Sequence, residues 1–159
     1  MRVTLLLADA AQAAGSAKIS ALGLGWSVTS SPTTPMALVV FIDLEPGESG
    51  RHEFRVWLSP RGQDAPVKVE GQDGEAAVEF GGAFEVQGQE PVVEGMPLRV
   101  NLTLNVAPSL PVSPARVYEW RAEIDGVVDE TWSVPFYVRP VEPSDAAVTG
   151  AEERRPSLT

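Results

Sequence analysis

The segment "PLRVNLTLNV" constrains this chain more than any other. Leu98, Val100, Leu102, Leu104 and Val106 alternate with Arg99, Asn101, Thr103 and Asn105. A period of two places the apolar set on one face of a strand and the polar set on the other. The same period returns in "YEWRAEI", with Tyr118, Trp120, Ala122 and Ile124 inward. It returns in "TWSVPFYV", with Trp132, Val134, Phe136 and Val138 on one face, and in "RHEFRVWLS", with Phe54, Val56 and Leu58 inward. Pro135 lacks a backbone donor, so its strand is expected at a sheet edge or bulged there. "MALVVFIDL" is almost continuously apolar and β-branched, which suits a central strand covered on both faces.

Shorter strands are expected at "RVTLLL", "VKVE", "AAVEF" and "AFEV", the last two broken at Gly81-Gly82 by a bulge or turn. Asp125-Gly126 marks a hairpin between the last two long strands. Gly and Pro number 14 each and fall between the apolar runs, as turn punctuation does. The sum is about eight to ten short strands, which argues an all-β antiparallel sandwich over residues 1–139. The segment from 140 to 159 has no periodicity and is expected to be a flexible tail.

The N-terminal stretch "LLLADAAQAAGSAKISALGLGW" admits three other readings, and each fails. Asp9 interrupts the apolar run well before the about 7 to 15 residues of a secretory core segment. Gly15 leaves too short a stretch for a stable helix. Gly23 and Gly25 lack the third glycine and the following helix of a dinucleotide loop. The expected structure is a strand, a connection over "ADAAQAAGSA" in which Asp9 turns or caps the backbone, and a second strand with Leu22, Leu24, Trp26 and Val28 in phase.

Composition excludes several classes of function. There is no cysteine, so no disulfide framework, thiolate metal site or cysteine nucleophile is available. The net charge of −10 disfavours nucleic acid and anionic membrane as partners. No run approaches the about 18 apolar residues of a membrane span. With neither a signal peptide nor a span, the chain is expected in the cytoplasm, or in a virion or other assembly.

His52 is the single histidine, and no nucleophile elbow accompanies it. It reads as a surface residue at the start of a strand. Asp125, Asp129 and Glu130 match no calcium loop and read as a solvated acidic hairpin. The "NLT" at Asn101 lies in mid-strand and reads as a chance match to a glycosylation sequon. No catalytic set, metal site or cofactor is therefore expected. Trp26, Trp120 and Trp132 fall on inward faces. Trp57 and Tyr137 fall on outward faces, Trp57 beside Arg55, and exposed Trp, Tyr and Arg concentrate at binding hot spots. Two functions are carried forward. One is a non-catalytic module for protein interaction or self-assembly. The other is a carbohydrate or small-ligand module that stacks sugar on Trp57 and Tyr137.

The N-terminal stretch also resembles a family of small uncharacterised bacterial proteins, mainly actinobacterial, whose members carry an L-A-D-x-A motif, a G-K turn and a G-G-G-W-like ending. Leu7, Ala8, Asp9, Ala11, Lys18, Gly23, Gly25 and Trp26 match, and Leu24 replaces the middle glycine. "SAK" departs from the tight G-K turn. The C-terminal half fits in Pro114, Tyr118 and Trp120, in the "IDG" turn, and in Trp132, Pro135, Phe136 and Val138. Ala115 stands where such proteins favour glycine. The resemblance implies an immunoglobulin-like sandwich and no activity. Tyr118 resembles a tyrosine corner.

Overall fold

The structure is a computed structural model that describes residues 1–14, 18–71, 74–87 and 93–140. The expected tail therefore lies outside the described residues beyond Pro140. The first six strands are β1 (Arg2–Ala8), β2 (Ala10–Ala14), β3 (Lys18–Leu22), β4 (Val28–Thr29), β5 (Met36–Leu44) and β6 (Gly50–Pro60). The rest are β7 (Lys68–Gly71), β8 (Gly74–Ala77), β9 (Glu79–Val86), β10 (Leu98–Val106), β11 (Arg116–Ile124) and β12 (Val127–Val138). They form a three-stranded sheet, β1-β5-β10, and a five-stranded sheet, β4-β12-β11-β6-β9. Two hairpins, β2-β3 and β7-β8, stand apart from both. All pairings are antiparallel except β4 with β12. The chain is an all-β sandwich, and no helix among the described residues is long and apolar enough to cross a membrane.

The alternation read from the sequence builds the core. Leu5, Leu7, Leu38, Val40 and Ile42 of one sheet meet Val56, Leu58, Trp120, Phe136 and Val138 of the other. Trp120 is fully buried and packs against Phe80 with ring centroids 5.9 Å apart. Trp132 is also buried. Pro135 sits opposite Glu119 on a stretch of β12 whose other side pairs with no strand among the described residues, since β4 reaches only Tyr137 and Val138. The missing donor thus costs no ladder bond. Asp125 and Gly126 have φ of 51° and 78°, which is the two-residue turn that matches strand twist.

Tyr118 closes a corner, as its hydroxyl accepts the Ser113 N–H at 2.8 Å. The same corner places Ala115 at φ 58°, with its N–H donated to Val138 O. A left-handed conformation costs a residue with a Cβ roughly 1–2 kcal/mol.

β5 is buried on both faces. Leu38, Val40, Ile42 and Leu44 face the core, while Ala37, Val39 and Asp43 are buried on the opposite side. The β2-β3 hairpin leaves the end of β1 and lies against β5 and β10. Since the inner face is occupied by the second sheet, the hairpin covers the outer one. At the far end of that face, Asp43 is flanked in register by Arg2 of β1 and Arg99 of β10. Arg99 Nε donates to Asp43 Oδ1 at 2.6 Å, and Arg99 Nη2 to Oδ2 at 3.0 Å. Arg2 Nη2 donates to Oδ2 at 2.8 Å. The Arg99 hydrogen bonds, helped by Arg2 and opposed by burial, pull the Asp43 carboxyl down to about 2.

Four expectations are corrected. Residues 10–14 form a strand, where a connection was expected. The second strand ends at Leu22, because Gly23 and Gly25 turn the chain with φ of 61° and 90°, so Leu22 and Leu24 project outward. β9 runs through Gly81-Gly82 with no bulge, in unbroken register against β6. Gly82 is needed there for another reason: a Cβ would meet the Phe54 ring at 2.9 Å. Finally, His52 is half-buried rather than freely exposed. Its ring stacks on Phe84 at 5.3 Å, and its Nδ1 lies 2.7 Å from Asp125 Oδ2.

Two outcomes are expected. Asp43→Asn lowers stability by about 2 kcal/mol at pH 7, read by urea unfolding. The folded pKa lies below the ordinary 3.8, so this stability is present above pH 4 and lost as pH falls toward 2, where wild type and variant converge. Ala115→Gly raises stability by about 0.5–1 kcal/mol, the relieved strain exceeding the added unfolded-state entropy. An unchanged or lowered midpoint for Ala115→Gly contradicts the strain.

Candidate functional site

The turn that ends β3 shapes the most distinctive surface of the molecule. Gly25 N–H donates to Leu7 O at 2.7 Å, and Asp9 N–H donates to Leu22 O at 2.9 Å. These bonds tie the end of β1 to the glycine turn, and Asp9, between β1 and β2, to the end of β3. The Asp9 carboxylate lies directly over Gly23, where a Cβ would meet Oδ2 at 2.0 Å. Gly23 is thus required twice, for its positive φ and for the approach of Asp9. Asp9 is exposed, with its carboxylate packed over Gly23 and its backbone N–H bonded to Leu22.

Asp9, Gly23, Leu24, Gly25, Trp26 and Val28 line one concavity of about 470 Å³, with Thr29 and Thr34. Trp26 is half-buried and meets Phe136 edge-on, with centroids 6.0 Å apart. Its indole N–H is buried and has no acceptor among the described residues. Leu24 is 52% exposed and Val28 42% exposed. Val28 pairs with Tyr137, itself 36% exposed, which sets an exposed aromatic side chain beside the cleft. The structure therefore gathers Asp9, Gly23, Gly25 and Trp26, read from the sequence as a fold signature, into one cleft. It places Tyr137 next to that cleft. Tyr118 and Trp120 belong to the core.

Trp57 is a correction. It is 4% exposed and no platform for a ligand. The outward face of β6 is covered by side chains of its neighbours: Arg55 lies 5.0 Å from the ring centroid and Arg121 5.6 Å. Arg55 is held by Glu79 at 2.6 and 2.9 Å, and Arg121 by Asp64. Both guanidiniums are thus committed to covering the indole. A sugar-stacking pair of Trp57 and Tyr137 is not available. The signal that would have located Trp57 is the pairing of β6 with β11, which brings Arg121 opposite it and cannot be read from one strand alone.

Two further concavities mix both signs of charge. One is lined by Arg61, Asp64, Glu119, Arg121 and Glu130, the other by Arg51, Glu53, Arg55, Glu123 and Asp125. Neither concentrates a field of one sign. Asp125 is fully engaged, accepting from Glu53 N–H at 2.8 Å beside its contact with His52. The His52 hydrogen bond and then the Glu53 amide hold its carboxyl below the usual range. Asp129 folds back on Thr131, accepting its N–H and its hydroxyl. Among the described residues, no three histidine or acidic side chains gather as metal ligands.

No curated protein and no solved structure shows a significant match. A family model matches residues 3–139, which span the glycine turn, the cleft and the corner at Tyr118. The chain belongs to that family, a family of unknown function (DUF6941).

Proposed function

We propose that this chain is a non-catalytic module for protein interaction or assembly, and that its binding end is the cleft formed by Asp9, Leu24, Trp26 and Val28. The observation that carries this reading is the exposure of Leu24 and Val28 around a single carboxylate. An exposed glycine turn has no structural need of a leucine in its middle, and apolar side chains held outward around a concavity mark surfaces that bind. Asp9 supplies the polar anchor, with room for a partner's ammonium, guanidinium or amide N–H. Tyr137 extends the surface with a large amphipathic ring. We further read the sandwich as immunoglobulin-like. The parallel pairing of β4 with β12 and the Tyr118–Ser113 corner support that assignment.

The test is capture in cells that make the protein. Leu24 and Val28 are exposed, so Leu24→Asp with Val28→Lys leaves folding within about 0.5 kcal/mol. Wild type should retain a specific protein partner that the double variant loses by at least about tenfold, corresponding to about 1.4 kcal/mol. Lys68→Glu, exposed on the separate β7-β8 hairpin, should retain it. Equal capture by wild type and the double variant, or no partner at all, overturns the proposal.

A further inference from the structure

The five-stranded sheet has two ends. The β4 end adjoins the cleft, and the other end is β9. Among the described residues no strand pairs with the outer side of β9. Open edges are ordinarily blunted by charged side chains, lysine above all, by proline or by a bulge. β9 has no lysine, proline or bulge over its eight residues, its register against β6 is unbroken, and its two charges, Glu79 and Glu85, each have an arginine of β6 beside them.

The hydrogen-bonding phase of this edge follows from one bond. Leu58 N–H donates to Val78 O at 3.0 Å, and the register runs on from Trp57 opposite Glu79 to Gly50 opposite Val86. Bonded and non-bonded pairs alternate in an antiparallel ladder. Phe80, Gly82 and Phe84 therefore turn their backbone groups toward β6. Glu79, Gly81, Ala83 and Glu85 turn theirs to the open side. These four residues are all exposed.

The segment itself is close to a palindrome: Glu79-Phe80-Gly81-Gly82-Ala83-Phe84-Glu85. Reversal about Gly82 exchanges the two glutamates, exchanges the two phenylalanines, and swaps Gly81 with Ala83. A two-fold interface needs a surface that is its own complement, and an antiparallel strand with this symmetry is one. We propose that β9 pairs antiparallel with β9 of a second copy of this chain, about a two-fold axis at Gly82, joining two five-stranded sheets into one.

In that register the bonded pairs are the ones whose backbone groups are open. Gly81 faces Ala83 of the second copy, so no bulk separates the strands. Phe80 faces the second copy's Phe84 at non-bonded positions, where side chains come closest and aromatic pairs contribute most. Both rings are held beforehand, Phe80 against Trp120 and Phe84 against His52. Glu79 faces the second copy's Glu85, and each already has an arginine beside it. Arg55 bonds Glu79, and Arg51 stands opposite Glu85 in the β6 register. The dimer surface lies at the opposite end of the sheet from the cleft and does not depend on it.

Sedimentation equilibrium of the full chain tests the proposal between about 10 μM and 1 mM, the range for a small single-strand interface. The mass should rise from 17.0 kDa toward twice that value. Ala83→Pro removes one open-side N–H and no β6 ladder bond, so it should stay at the single-chain mass with thermal unfolding preserved. Ala83→Lys, which keeps the backbone intact and adds an edge charge, should weaken association at least about tenfold and serves if the proline variant does not fold. A single-chain mass up to 1 mM overturns the proposal. So does a dimer that persists in folded Ala83→Pro or Ala83→Lys, or one abolished by Leu24→Asp instead.

Discussion

Burial of β5 on both faces is the constraint from which the rest of the architecture follows. A strand in a two-layer sandwich normally turns one face to the core and the other to water. "MALVVFIDL" has no polar face to offer over most of its length, so the outer side needs a third layer. The chain supplies it from the segment directly after β1. The β2-β3 hairpin packs against β5 and β10, and Ala37 and Val39 on the outer face of β5 are buried. Where the hairpin stops, the outer face ends on Asp43, a charge that burial would penalise if it stood alone. Arg2 and Arg99 reach it from the two neighbouring strands while keeping much of their own length in solvent.

The cleft is a by-product of that cover. To return from the hairpin to the sandwich, the chain must reverse at the end of β3 and enter β4 beside β12. Gly23 and Gly25 make the reversal, Asp9 lies over the first of them, and Trp26 anchors the exit against Phe136. The residues that look like a motif in the sequence are therefore the hinge between the hairpin and the sheet. Their structural duty explains the glycines and the tryptophan. It does not explain Leu24, which is 52% exposed.

The long strands were legible because their alternation survives in a single segment. β10, β11 and β12 each carry it over most of their length, and Tyr118, Trp120, Trp132 and Phe136 are buried as their phase requires. β2 was not legible. "AAQAA" has no alternation and alanine is a weak strand former, so only the partner strand and the face beneath reveal it. Trp57 failed for a related reason. Alternation tells which face a side chain takes, and what covers that face is decided by strands distant in sequence. Gly23 and Gly25 were visible as glycines, yet their positive φ, which converts one long strand into a turn and a cleft, is a property of the folded chain.

The architecture depends on the hairpin being packed and tied to β1 as an integral layer, and amide exchange measured by NMR on the full chain tests this most directly. The amides of Asp9 and Gly25 donate to Leu22 and Leu7, and they should be protected together with those of β5. Exchange of Asp9 and Gly25 at the rate of an unstructured peptide, while Leu38 to Ile42 remain protected, would contradict it.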